Sequence, residues 1–139
     1  MKNLRYFLLA FALLLTAVAA GAQETKMKAN IPFDFMVGER VYPAGQYLLN
    51  SISGNGAAIR IDGNPEVPAS LVLTHACETI QPSKQTKLVF RRVGENYFLH
   101  QVWIAGNSLG REFHASREEI RLAQNREQEL VVVAANTTK

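Results

Sequence analysis

The architecture turns on the stretch Lys87-Leu88-Val89-Phe90-Arg91-Arg92-Val93-Gly94-Glu95-Asn96-Tyr97-Phe98-Leu99-His100-Gln101-Val102-Trp103-Ile104. Two runs rich in β-branched and aromatic residues flank a Gly-Glu pair, which is the pattern of a β-hairpin. Gly94-Glu95 suits a two-residue type II′ turn, whose first central position needs the positive φ that glycine adopts without steric cost. That turn pairs Phe90 with Leu99 and Arg92 with Tyr97. Side chains alternate along a strand, so Leu88, Phe90, Leu99 and Trp103 are expected on one buried face at the centre of the domain. Gln101 falls on the same side and must find a hydrogen-bond partner or lie at a rim.

Outward from the hairpin, alternation persists. Ile31, Phe33, Phe35 and Val37 alternate with Pro32, Asp34 and Met36, which predicts one half-buried strand. Pro32 has no N–H for a ladder, so this strand should lie at an edge or begin there. Strands over 46–52 and 57–61 flank the loop Ser53-Gly54-Asn55-Gly56, and a further strand covers 70–79. The Gly- and Asn-rich segment 105–110 reads as a loop. Ser116-Arg117-Glu118-Glu119 is a capping box, with Glu119 reaching back to Ser116. It opens a polar helix to about residue 128, whose apolar stripe is only Ile120, Leu122 and Ala123. The unbroken apolar run 130–135 predicts a buried strand. These elements make a mainly β chain: an antiparallel β-sandwich or partly closed barrel of seven or eight short strands with one short C-terminal helix. Alternating βαβ units are absent from the pattern, which excludes a doubly wound sheet.

The chain has 139 residues, 47% hydrophobic, enough for one core and too few for two ordinary domains. Residues 1–22 have a basic start (Lys2, Arg5), an uncharged apolar run from Tyr6 to Ala20, and Ala20-Gly21-Ala22 before Gln23. That is the form of a secretory signal peptide cut before Gln23, with Ala17-Val18-Ala19 as a second site. The apolar run is short for a bilayer span, and no second one follows, so no membrane span is expected after cleavage. No twin Arg precedes it, which points to the Sec route and a periplasmic or secreted protein. Residues 23–139 then form a single β-rich domain. Loss of Lys2 and Arg5 takes 15 basic residues to 13 against 12 acidic ones, a net charge of +1. No concentrated basic face remains for nucleic acid.

His75 and Cys77 share one side of a predicted strand and, with His100 or His114, contain the residue types of a metal site. Leu71 and Leu73 share that side too, which favours a buried, reduced Cys77 in a core and no metal. Cys77 lacks the flanking pattern of a nucleophile, and Gly106-Asn107-Ser108-Leu109-Gly110 has the wrong offset for a serine elbow. Of the carboxylates, Glu118 and Glu119 are explained by the helix start, and Asp34 and Glu39 by a strand end and a turn. Phosphate-binding glycine loops are missing, so no nucleotide or other cofactor is expected. Tyr42, Tyr47, Tyr97 and Trp103 are weighed as a stacking platform, with the core reading preferred. Gly110-Arg111-Glu112 reads as a structural ion pair. Asn136-Thr137-Thr138 is a glycosylation sequon in a tail expected to fray.

Three strings act as a set: Ile31-Pro32-Phe33-Asp34-Phe35-x-Val37-Gly38, Pro43-Ala44-Gly45-x-Tyr47, and Tyr97-Phe98-Leu99-x-x-Val102-Trp103-x-x-Gly106, followed by Gly110-Arg111-Glu112. With them the chain resembles a group of small uncharacterised exported bacterial proteins, from about Ile31 to Glu119. The resemblance implies export and one β-rich domain and brings no catalytic residues. The expectation is therefore an exported, non-enzymatic β-domain that acts by binding or as an envelope component, with an envelope or extracellular partner and with no catalytic, cofactor or metal residue assigned. The alternatives are a small-ligand or carbohydrate-binding module using aromatics near Trp103, and a hydrolase whose site is assembled from distant residues.

Overall fold

The computed structural model describes residues 24–138; the expected signal segment and its cut before Gln23 lie outside the described residues. Alternating apolar residues build ten strands: β1 (Lys26–Ile31), β2 (Phe35–Val37), β3 (Arg40–Tyr42), β4 (Gly45–Ser51), β5 (Ala58–Asp62), β6 (Ser70–Glu78), β7 (Lys87–Val93), β8 (Asn96–Trp103), β9 (Leu109–Phe113) and β10 (Gln128–Thr138). Among the described residues one helix, α1 (Arg117–Ala123), precedes β10. Eight strands close on themselves in the order β8-β7-β10-β1-β4-β5-β6-β9, with β9 returning to β8. Every neighbour in that ring is antiparallel. The fold is thus a closed barrel, one of the forms expected, and closure leaves the ring without a free edge.

The expected hairpin register holds: Phe90 faces Leu99, Arg92 faces Tyr97, and Gly94 sits at φ 62° in the turn. The face assignment needs one correction. Leu88 faces Val102 and Val89 faces Gln101, so His100 is an extra residue on β8, a bulge. Alternation reverses there, and Val102 rather than Trp103 joins Leu88, Phe90 and Leu99 in the core. Trp103 is turned outward, where its ring covers Gly110; a Cβ on Gly110 would stand 2.7 Å from the indole. The bulge has a topological cause. One edge of β8 is shared, pairing with β2 in parallel at Phe98 and with β9 at Gln101 and Val102. His100 lies at the changeover.

The single strand expected over 31–37 is two strands. β1 is a central stave between β10 and β4, and the chain leaves it at Pro32 to start the short hairpin β2–β3. The missing N–H of Pro32 therefore ends a strand inside the barrel instead of marking an edge. Phe33 and the β2–β3 hairpin bring aromatic rings together at one end of the barrel. Phe35 stacks on Tyr42 at 5.2 Å and meets Tyr47 and Phe90 edge-on at 5.1 and 5.4 Å. Phe33 stacks on Tyr97 at 3.8 Å and meets Phe90 edge-on. Asp34 Oδ1 accepts a hydrogen bond from the Ala44 amide at 2.8 Å, and the Tyr47 hydroxyl donates to the Pro43 carbonyl at 2.6 Å. The first two sequence strings thus meet in one structure, an aromatic plug.

Three further expectations are corrected. The run 130–135 lies in β10, paired with β7 up to Ala134 and with β1 from Ala135, but Leu130 and Val132 face solvent on the outside of the barrel, at 61% and 49% exposure. Its inner residues Val131, Val133 and Ala135 pack against the core. β10 also runs through the sequon to Thr138, paired with β1, so that tail is strand. The helix stops at Ala123, because the chain must extend again by Gln128 to pair with Val93. Its cap is as expected, with the Glu119 amide donating to Ser116 Oγ at 3.1 Å. The Glu119 carboxylate does not reach back; it turns to Arg91 on β7.

Candidate functional site

The plug fills one end of the barrel and leaves the other open. An eight-stranded barrel is just wide enough for side chains to fill it or for one small ligand to enter. Here the open end holds a cavity of about 460 Å3, within the range of small-molecule sites, about 300–1,000 Å3. Inward alternation on four strands supplies its walls: Met27 from β1, Leu49 from β4, Ile59 from β5 and Val102 from β8, with Ile104 just beyond. Met27, Leu49 and Ile59 are at most 5% exposed. Loop residues Ser53, Asn55 and Asn107 add polar groups.

The mouth is held by its own hydrogen bonds. The segment between β6 and β7 ties down the β8–β9 loop that carries Asn107 of the lining: the Ser83 amide donates to Asn107 O at 2.9 Å and the Gly106 amide to Ser83 O at 2.8 Å. Thr86 Oγ1 accepts from the Ala105 amide at 3.1 Å. Between β4 and β5 the expected loop forms a turn, with the Gly56 amide on Ser53 O at 2.9 Å and Gly56 at φ 71°. Rigid loops on a barrel are favourable places for a site.

Arg111 on β9 is the one ionisable side chain in the cavity lining among the described residues. Its Nε donates to Thr74 Oγ1 at 2.9 Å and its Nη2 to the Thr74 carbonyl at 2.7 Å. Gly56 lies over its stem, close enough that an added Cβ would stand 3.3 Å from Cδ. The ion pair expected within Gly110-Arg111-Glu112 does not form. Adjacent residues on a strand project to opposite faces, so Arg111 faces inward with Val102 while Glu112 faces outward.

Outside the barrel, Glu112 joins a polar cluster. It accepts from Gln101 Nε2 at 2.9 Å and lies 3.3 Å from His75 Nε2. Gln101 Oε1 accepts from the Trp103 indole at 3.1 Å, the partner it was expected to need. The hydrogen bond from Gln101, more than His75, holds the Glu112 carboxyl below its usual range. His114 packs against His75 at 4.7 Å. Nearby, Arg91 Nη2 lies 3.3 and 3.2 Å from the two ring nitrogens of His100. Both cannot be linear hydrogen bonds, so this is a charge held against the ring. Burial first, and then Arg91, push the His100 pKa down. Arg91 also donates to Glu119 at 2.8 Å, yet burial outweighs this partner and raises the Glu119 carboxyl.

The sequence candidates are dispersed by this arrangement. His75 and Cys77 do share a side, but it is the outside of β6: Leu71 and Leu73 are 60% and 67% exposed, and Cys77 is half-buried rather than a core thiol. Burial and Glu112 raise the Cys77 pKa, which opposes a thiolate. Among the described residues no three His, Cys, Asp or Glu are placed to hold a metal ion. Of the four aromatics weighed as a stacking platform, Tyr42, Tyr47 and Trp103 are buried and half-buried Tyr97 is stacked on Phe33, so these four present no platform; Tyr42 and Tyr47 belong to the plug. Gly110 closed what read as a loop and Arg111 followed it as half of an expected ion pair, and only recognition of β9 as a strand would have turned Arg111 inward.

Comparisons of the chain with protein-family models, with curated proteins and with solved structures found no match.

Proposed function

We propose that the chain is an exported, non-enzymatic binding protein that takes a small apolar molecule into the open end of its barrel. The observation that carries this reading is the apolar cavity of about 460 Å3 in a barrel whose other end is filled with aromatic rings. Buried apolar surface drives such binding at ~25 cal/mol per Å2, and a mouth already held by hydrogen bonds lowers the cost of ordering. Export rests on residues 1–22 and on the resemblance to small exported bacterial proteins. The polar cluster on the outer surface favours no hydrolytic reading, because it has no activated nucleophile beside its His75–Glu112 pair.

The test is titration with N-phenyl-1-naphthylamine, a neutral dye that brightens when it leaves water. Ala76 lines the cavity at an exposed position of β6, so Ala76→Trp should obstruct the mouth without disturbing the core. It should weaken dye binding about tenfold or more, ~1.4 kcal/mol. Leu73→Trp, on the outer face of the same strand, should leave binding unchanged. A wild-type protein that does not brighten the dye, or Ala76→Trp binding as well as wild type, contradicts the proposal.

A further inference from the structure

We infer that the molecule taken by this cavity is an anionic amphiphile, with its apolar chain between Met27, Leu49 and Ile59 and its carboxylate on the guanidinium of Arg111. The inference rests on the cavity being a binding site. It adds the chemical class of the occupant.

The argument begins with the hydrogen-bond capacity of arginine. A guanidinium has five N–H donors and cannot be deprotonated in a protein. Arg111 places two of them on Thr74, one on the hydroxyl and one on the carbonyl, both neutral acceptors. Three N–H groups have no partner among the described residues. A half-buried cation ordinarily has a carboxylate beside it, because apolar walls provide little solvation for charge. None is present in this lining, where Arg111 stands alone among uncharged polar, glycine and apolar residues. The nearest acid in sequence, Glu112, projects to the opposite face of β9 and is engaged by Gln101 and His75.

A purely apolar ligand would leave that positive charge with no function and a desolvation cost. A small inorganic anion would leave Met27, Leu49 and Ile59 unexplained. An amphiphile with one negative head group satisfies both halves of the site. Thr74 holds the guanidinium by Nε and Nη2, and the remaining donors are of the kind that bind carboxylates through paired hydrogen bonds. Low-dielectric walls strengthen the attraction.

Decanoate and decan-1-ol have the same chain length and differ in charge, so they separate this inference from the cavity reading. Binding of both to the wild-type protein at neutral pH would be measured by displacement of N-phenyl-1-naphthylamine. Decanoate is expected to bind about tenfold more tightly than decan-1-ol, as one charge-assisted contact allows. Arg111→Gln should weaken decanoate about tenfold, to the level of the alcohol, while changing the uncharged alcohol far less. If Arg111→Gln does not fold, judged by circular dichroism, added salt on the wild type replaces it: decanoate binding should weaken and alcohol binding should not. Equal binding of the two ligands, or decanoate binding indifferent to both Arg111→Gln and salt, overturns the anionic head group and leaves an apolar site standing. Displacement by neither ligand, with no dye binding either, overturns both.

Discussion

His100 shows how much one residue governs here. As the extra residue on β8 it reverses the alternation, bringing Val102 into the core and placing itself against Arg91. Burial and that guanidinium both disfavour the imidazolium, so its folded pKa lies below that of the unfolded chain. The unfolded state takes up the proton first as pH falls, and stability is therefore lost between about pH 6.5 and the lower folded value. Glu119 has the opposite sign: its raised carboxyl takes up a proton first in the native state, so it adds stability as pH falls toward the unfolded value near ~4.3, and the His100 variant separates the two. Urea melts at about pH 7.5 and about pH 5.5 should show the loss in the wild type, and His100→Asn should flatten it. An equal slope in both proteins would mean that His100 is not the group responsible. The turn register holds from Val93 to Phe90 and shifts by one residue beyond it, with His100 as the residue left over. Arg111 was legible as a residue but not as an inward one, because its direction depends on a strand that the composition conceals.

At the scale of elements, legibility followed the strength of local signals. Gly94 with positive φ set the β7–β8 turn and, through it, the pairing of Phe90 with Leu99. The bulge carried no comparable signal, since Gln101-Val102-Trp103 alternates plausibly in either phase. β9 escaped because Gly110-Arg111-Glu112 has no apolar rhythm; its strand character comes from pairing with β6 and β8. β1 and β2 read as one strand because Ile31, Phe33, Phe35 and Val37 stay in phase across the break at Pro32. The hairpin remains the energetic centre. Phe90 is fully buried, meets Phe33 and Phe35 edge-on, and faces Val131 and Leu99 across its two ladders. Phe90→Ala should cost ~3–5 kcal/mol, while Glu95→Ala at the exposed turn should cost under ~0.5 kcal/mol, both read from urea unfolding. Near-wild-type stability of Phe90→Ala would place the core elsewhere.

Across the whole molecule, the outcome depends on closure. Sequence periodicity cannot distinguish a sandwich from a barrel, because both present inward faces with a period of two; the β8–β9 pairing decides it. Once the ring is closed, a plug of Phe33, Phe35, Tyr42 and Tyr47 at one end leaves the remaining interior as a cavity. The outer faces of β6 and β10 are the other apolar surfaces a dye could meet, because Leu71, Leu73, Leu130 and Val132 are exposed. Methyl NMR of the protein titrated with N-phenyl-1-naphthylamine distinguishes these surfaces directly. The account predicts saturable shifts at Met27, Leu49, Ile59 and Val102, with Leu71, Leu73, Leu130 and Val132 unmoved. Shifts confined to the outer-face leucines and Val132, with the interior methyls silent, would contradict it.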